Sequence, residues 1–460
     1  MLFFIKCHNK NIYLSTMNNS ICIIGAGLSG TLLAIRLAQK GYTVNVYEKR
    51  ADMRLQQLAA GRSINLALSS RGIQALHLIG LEKKMLQLAL PMYGRMVHTI
   101  GNKPFTAAYS GRQGEYINSI SRSQLNIALL AKAANYSNIN LHFNHSCTAV
   151  DVDSTTATFT HNNNTIIVTA NQIIGTDGAG SALRDAFEIQ VPNFAITQQY
   201  LEHGYKELNI PPNSDGSFKL ANNVLHIWPR GSYMCIALPN PTADFTVTLF
   251  LSKKEEQLSF DHINTDEEIY TFFATNFPEI SDTIPDLVAQ YKANPVGNLG
   301  TVKCSPYHYH NKCLLLGDAA HAIVPFYGQG MNCSFEDVVV LDSLIEQYNG
   351  DFTTIFEQYT NLRKPNADAI ADLAVDNFYE MRDATANPVF IKKRQLETKL
   401  EQAYPNYYSK YAMVTFRADM DYKTAMEKGR KQDEILMEIC KNVHSIDELD
   451  LTSVLEKVNG

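Results

Sequence analysis

Hydrophobic positions along the chain change their spacing several times, and each change predicts an element. Ser20 to Arg50, SICIIGAGLSGTLLAIRLAQKGYTVNVYEKR, opens with an unbroken apolar run, passes through a glycine-rich turn into a helix reaching Lys40, and returns as a second strand ending at Glu48. A continuous rather than alternating apolar strand is the mark of a sheet covered on both faces. A short strand, Ser63 to Leu68, follows. Pro91 to Ser110 then alternates with a period of two and turns at Gly101-Asn102, placing Tyr93, Arg95, Val97 and Thr99 on one strand face. Ser119 to Ala134 predicts a helix capped by Ser121 or Ser123, with Arg122 at its entrance and Leu125, Ala128, Leu129 and Ala133 on one side. Next come a strand from Asn140 to Asn144, a hairpin of β-branched residues from Thr148 to Thr169, and a strand ending in Ile174-Gly175-Thr176-Asp177-Gly178-Ala179-Gly180.

Between Phe187 and Val302 the periodicity is that of antiparallel strands: NFAITQQYLEHGYKEL, SFKLANNVLHIWPR, SYMCIALPN and DFTVTLFLS, separated by turns rich in Pro, Gly and Asn. Leu225, Ile227, Ile236 and Phe245 are candidates for lining a pocket beneath that sheet. Lys312 to Tyr348 reads as an apolar strand ending at Gly317-Asp318, a Pro/Gly-rich turn, and a helix opening near Met331. The remainder beyond Gly350 is helical. Pro365 is placed to begin a helix on which Ile370, Leu373, Asn377 and Met381 share a face.

This order predicts an α/β fold: a Rossmann-like dinucleotide-binding domain with an inserted antiparallel β-sheet substrate domain and a helical C-terminal part. The expected boundaries are 18–75, 116–185 and 303–350 for three segments of the nucleotide domain, 76–115 and 186–302 for the substrate strands, and 351–460 for the C-terminal helices. A formal net charge of -6 removes the basic footprint of a nucleic-acid binder, so the expected partner is small. Eight cysteines scattered through 460 residues fit reduced thiols in the cytoplasm better than a disulfide framework. No apolar run is long enough to span a membrane. The opening MLFFIKCHNKNIYLSTM lacks the features of a signal peptide, and Met17 is a candidate initiator beside Met1.

The chemistry starts at Gly25-Ala26-Gly27-Leu28-Ser29-Gly30. Glycines at this spacing permit a tight turn and close approach of backbone to a pyrophosphate, and Glu48, 23 positions after Gly25, is placed to accept from ribose hydroxyls. A second fingerprint of this kind is missing, so one dinucleotide is expected. The Asp177 turn, with Arg184 beyond it, and the Gly317-Asp318 turn each bring an acid and glycines to a strand end, where a carboxylate can hold ribityl or ribose hydroxyls. Arg62 and Arg71 flank the Ser63 strand and suit either phosphate neutralisation or solvated strand ends. Arg95 among apolar neighbours suits either a surface charge or a bidentate partner for a carboxylate, with Tyr109 adding a hydroxyl. Asn377 on an apolar stripe needs a partner, on another helix or on a ligand. Cys304, His308, His310 and Cys313 crowd together without a familiar metal spacing, so no metal is expected. Tyr404, Tyr407, Tyr408 and Tyr411 form a cluster whose default role is packing.

Three clusters in the order GAGLSG, TDGAG and GDAAH, together with GRSINLALSSRG, PMYGRMVH, INSISR, LHIWPRG, PFYGQGMNCSFEDV, NFYEMR and YAMVTF, give the chain a close resemblance to the single-component flavin-dependent aromatic hydroxylases over residues 20 to 420. The resemblance implies bound FAD, with Gly25, Gly27, Gly30 and Glu48 at the adenosine and pyrophosphate end, Arg122 and Asp318 along the ribityl-phosphate arm, and Met331 and Asn332 at the isoalloxazine. It adds Tyr47, Lys49, Arg50, Ala67, Cys147 and Asp177 as cofactor contacts. It places the substrate carboxylate on Arg95 and Tyr109, with Asn377, Met381 and Tyr411 as further substrate contacts. Tyr327 stands in the PFYGQG turn where relatives carry other aromatic residues or His. The activity implied is NADPH-dependent oxygen transfer through a flavin hydroperoxide to the ring carbon ortho to an amine, with no protein base. The alternatives are a hydroxylase for another aromatic acid and a non-hydroxylating FAD reductase or oxidase. The charged stretch from Asp421 onward, where some relatives carry a membrane anchor, implies a soluble bacterial form, monomeric or homodimeric.

Overall fold

The computed structural model describes residues 12–15, 20–55, 65–254, 258–384 and 387–459. Arg62, Cys7 and Met17 lie outside these. The first apolar run forms the strand Ser20–Ile24, every residue of it buried. It pairs in parallel with Thr43–Glu48 on one side and Gln172–Gly175 on the other, and a six-stranded sheet is completed by Ile139–Phe143, Cys313–Leu315 and an antiparallel edge at His308–Tyr309. Ile21 and Ile23 are 0% exposed, and such side chains each contribute roughly 1.5–3 kcal/mol through removal from water. Helices Leu28–Gln39, Arg122–Ala133 and Gly330–Gln347 bury their apolar sides in the same core. Ser121 caps the second of these by accepting from the Gln124 N–H.

The stretch expected as one hairpin is three strands, Ser146–Asp151, Thr156–His161 and Asn164–Thr169, extended by Ile12–Ser15 in parallel with the last. Tyr47 from the central sheet stacks on Phe159 of this meander with ring centroids 4.2 Å apart. A three-stranded sheet joins Asn65–Leu68, Ile117–Ser121 and Leu90–Met92.

The second large sheet has seven strands, and it differs from expectation in three ways. It is mixed: Leu225–Pro229 runs parallel to Gly94–Val97, so strands far apart in the chain meet. Residues 217–223 do not join the strand that follows, because Asn213, Gly216 and Ser217 close a turn there. Helices Asp266–Asn276, Pro278–Ser281 and Leu287–Ala293 interrupt the strands, the first opened by a capping box between Thr265 and Glu268. Those helices cover one face of the sheet, which is where Phe245 goes, while Leu225, Ile227 and Met234 belong to the opposite face.

Two further expectations fail for local reasons. Tyr93 is 52% exposed although Arg95 is 9% and Val97 2%, because the strand breaks between Met92 and Gly94 and its phase shifts. Pro365 does not start a helix; it lies inside Phe352–Tyr379. The carbonyl left without an N–H partner belongs to exposed Asn361, where water can satisfy it. Among the described residues no helix is long and apolar enough to cross a membrane.

Between the seven-stranded sheet and its helices, His98 and His226 share a 2.9 Å hydrogen bond, and His98 stacks on Trp228 at 4.4 Å. Burial, and then the nearby His226 and Arg230, push the His98 imidazolium down to about 4. An ordinary histidine titrates near 6.5, so the neutral ring contributes stability that is complete above that pH and is lost as pH falls through the lower value. The expected result is an unfolding midpoint in urea that declines between those two pH values, with a shallower decline in His98→Gln; equal slopes would exclude the assignment.

Candidate active site

The carboxyl ends of the parallel strands open into a cavity of about 800 Å³ that continues beneath the seven-stranded sheet. The first turn is built by glycine. Gly25 has φ +101°, its N–H donates to the Tyr47 carbonyl at 2.7 Å, and a Cβ there would sit 2.6 Å from the Thr176 carbonyl oxygen. Thr176 donates its hydroxyl to the carbonyls of Ile24 and Gly25, so the first and second turns brace each other. Gly30 is not in the cavity wall; its missing side chain makes room for the Gly25 carbonyl and Thr176. Gly27 opens the helix Leu28–Gln39 with no side-chain cap and no acid in its first turn, and Gly27, Leu28 and Ser29 face the cavity. Backbone N–H groups and the positive end of the helix dipole thus meet the cavity undiluted, the arrangement that takes a phosphate.

Glu48 also lines this end, but its carboxylate is already engaged. It accepts from the Ala26 N–H at 2.9 Å and from the Arg50 backbone and Nε at 2.9 and 2.7 Å. Burial alone would raise its pKa, yet the Arg50 hydrogen bonds and charge hold it below the ordinary carboxylate value. Lys49, Arg50, Cys147 and the unanticipated His145 and Ser146 complete this wall. Asp177 accepts from the Ala182 N–H at 2.8 Å with one oxygen and leaves the other buried without a partner. Arg184 does not reach the cavity; it bridges the carbonyls of Ala179 and Ala319 and so locks the second and third turns together.

In the third turn Asp318 faces the cavity and is raised by burial, with His321 and Arg122 acting in the other direction. Behind it Asp337 accepts from the Gly317 N–H at 3.0 Å, from His321 at 2.6 Å and from Arg363 at 2.6 Å. His321, Cys333 and Asp337 bring their ligand atoms within 4.8 Å, but Arg363 donates to both Asp337 and Cys333 and supplies the cation itself. The cysteine and histidine group noted in the sequence does not converge: Cys304 donates to the Ala320 carbonyl and His308 bonds Thr360.

The chain then turns through Pro325–Tyr327, with Gly328 left-handed at φ +67°, into the helix Gly330–Gln347. Met331 lines the cavity; Asn332 stands behind it. Its amide donates to the carbonyls of Ala67 and Gly328 at 2.7 and 2.9 Å and accepts from the Ser69 N–H at 3.0 Å, which fixes the Ala67 wall against the turn. Asn377 is likewise outside the cavity wall, donating at 2.7 Å to the Phe326 carbonyl. Arg71 is no phosphate ligand: it is buried in a helix, paired with Glu336.

On the far wall Arg95, Tyr109, Tyr327, Met381 and Tyr411 come together from four separate segments. Tyr109 and Tyr327 each stack on Tyr411, at 5.2 and 5.5 Å, and the Arg95 guanidinium lies 5.1 Å from the Tyr411 ring centre. The Nε of Arg95 and the hydroxyls of Tyr109 and Tyr327 are buried with no hydrogen-bond partner. Burial raises both phenols, which keeps them as donors. Donors left unmatched in a closed space are costly unless a ligand supplies the acceptor. Apolar Leu225, Ile236, Phe250 and Phe326 line the space between.

A dinucleotide cradle with uncapped helix ends, opening onto a compartment of unmatched donors, defines a flavoprotein of the FAD binding domain family, whose model matches residues 18–374. Within it the chain belongs to the kynurenine 3-monooxygenases. It is 42% identical over 446 residues to the kynurenine 3-monooxygenase of Myxococcus xanthus (strain DK1622), covering 96% of this chain and 95% of that one. Against the Dictyostelium discoideum kynurenine 3-monooxygenase it is 40% identical, with 95% and 96% covered. The fold is also that of 2-methyl-3-hydroxypyridine-5-carboxylic acid oxygenase, with TM-score 0.66 at 19% identity over 83% of this chain and 97% of that one. Tetracycline destructase Tet(51) gives TM-score 0.60 at 16% identity over 85% and 100%.

Because a Cβ at position 30 would meet the Gly25 carbonyl and Thr176, Gly30→Ala is expected to give protein that purifies with less than a tenth of the parent's flavin absorbance. Full flavin content would remove the first turn from the cofactor site.

Proposed function

We propose that this chain hydroxylates L-kynurenine to 3-hydroxykynurenine, using FAD, NADPH and dioxygen. The observation that carries the reading is the buried Arg95, its Nε without an acceptor, beside the buried Tyr109 phenol in the same cavity as the dinucleotide cradle. An Arg with a neighbouring phenol suits a carboxylate, and the apolar space beside it suits an aromatic ring. The matched relatives named kynurenine 3-monooxygenase support the substrate assignment.

FAD, when bound, would supply the redox chemistry of hydride uptake from NADPH and dioxygen activation. Everything else falls to the chain. Gly25, Gly27 and the helix end behind them receive the pyrophosphate, Tyr47, Glu48, Lys49, Arg50 and Cys147 the adenosine side, and Arg122, Asp177 and Asp318 the hydroxyl-bearing arm. The N-terminal turn at Met331 presents N–H groups and a positive dipole end to negative charge on the ring system. Arg95 and Tyr109 hold the substrate carboxylate, Tyr411 and Met381 its body, and Tyr327 offers a hydroxyl toward its polar substituents. Asn332 and Asn377 act at one remove, fixing the wall and the turn that those groups occupy. The apolar lining excludes water, which keeps oxygen transfer directed at the substrate. No side chain is required as a general base, because the aromatic amine itself activates the ortho carbon. The enzyme works in the cytoplasm, in keeping with seven described cysteines that are all unpaired.

Purified protein is expected to be yellow and to form 3-hydroxykynurenine in step with NADPH consumed. Release of peroxide with no hydroxylated product from kynurenine or any other aromatic acid would instead mark a non-hydroxylating flavoprotein. Arg95→Ala is expected to raise the KM for kynurenine roughly tenfold to a hundredfold, the worth of a charge-assisted contact, with flavin content kept; parallel loss of flavin would make Arg95 structural.

A further inference from the structure

Arg71 is 1% exposed and lies on the helix Ser70–Leu78, outside the cavity wall. Its Nε donates to the Val414 carbonyl at 3.2 Å, one terminal nitrogen reaches the carbonyls of Arg417 and Met420, and the other pairs with Glu336. The guanidinium carbon lies 3.9 Å from the centre of the Tyr422 ring. All three nitrogens and one planar face of the group are therefore committed, and its partners fall on two sides. Val414 and Arg417 end the short helix Lys410–Phe416, which carries Tyr411 into the substrate wall. Glu336 stands on the helix Gly330–Gln347, whose first turn forms the cofactor wall. Tyr422 adds a second link, donating its hydroxyl at 3.0 Å to the Gln329 side chain at the entrance of that same helix.

Helix ends leave carbonyls that need donors, and a cation there is favoured by the dipole. At the end of the short helix Lys410–Phe416, Arg71 serves the Val414 carbonyl and shares the Arg417 carbonyl with the Met420 N–H, while anchored to the cofactor helix. We propose that Arg71 is a positioning residue: it sets the height and tilt of Tyr411, and through the tyrosine stack of Tyr109 and Tyr327, relative to the first turn at Met331. Substrate and cofactor then meet at a distance fixed by one guanidinium. The inference rests on kynurenine being the substrate, so parent enzyme is assayed first; failure of the parent to hydroxylate kynurenine sinks that reading and the substrate half of this one.

Arg71→Lys keeps the charge opposite Glu336 but cannot span three carbonyls. Backbone hydrogen exchange of residues 410–420 is expected to quicken at least tenfold in this variant, while residues 330–347 exchange as in the parent and flavin content is retained. With it, the KM for kynurenine should rise about tenfold or product per NADPH should fall below half, at an unchanged rate of flavin reduction per bound substrate. Tyr422→Phe, which removes only the hydroxyl to Gln329, is the milder check and should shift coupling in the same direction by about twofold. Faster exchange with KM and coupling unchanged would overturn the proposal, as would loss of flavin with exchange quickened throughout the chain, which would leave Arg71 a stabilising residue only.

Discussion

The structure hangs on a buried chain of charges. His321, Asp337, Arg363, Glu336 and Arg71 follow one another in contact, all but the partly exposed Glu336 almost wholly removed from water. Removing one member of such a chain leaves a neighbour charged and unpaired, at a cost of about 3–5 kcal/mol. Burial is costly to Asp337 in itself, but His321 and Arg363 hold its carboxyl well below the usual range. Because its members come from the third nucleotide turn, two long helices and the helix after the first short sheet, the chain of charges specifies how those pieces meet. Apolar packing alone would leave their relative height free to slide.

That specification matters because the cavity has no single owner. Its walls come from the strand ends at Ile24 and Glu48, from the turn at Asp177, from Asp318 and Met331, from the second sheet, and from Tyr411 near the C-terminus. Asn332 and Asn377 show how the joints are made, each spending its amide on backbone carbonyls of a neighbouring segment. Among the described residues, the buried polar atoms without a partner include cavity-facing ones at Arg95, Tyr109, Tyr327 and Asp177, together with a scatter in the core.

The sequence made the nucleotide domain legible because its signals are local: an apolar run, glycines at fixed spacing, an acid at the end of the next strand. The second sheet is less legible. Alternation finds strands but not their partners, so the parallel pairing of Leu225–Pro229 with Gly94–Val97 was invisible. The helices between Asp266 and Ala293 escape a search for alternation although a Thr265 and Glu268 capping box announces the first. Arg71 shows the limit most clearly. Its neighbours in sequence suit a phosphate ligand, and only the fold, by bringing residues 414–422 across to it, makes it a cap. Glu48 carries the opposite lesson, since it lines the cavity from the strand end that spacing assigns it while its hydrogen bonds to Ala26 and Arg50 could not be read from spacing.

The crossed pairing of the sheets has a consequence for how the polypeptide matures during its synthesis. Gln172–Gly175 needs Cys313–Leu315 to cover its open side, and Gly94–Val97 waits for Leu225–Pro229. On the ribosome, therefore, hydrophobic strand edges stay unpaired while more than a hundred further residues are made. Such edges recruit other chains. The same interleaving that lets one cavity draw its walls from distant segments thus leaves the nascent chain with an open strand edge until residues 313–315 have been made.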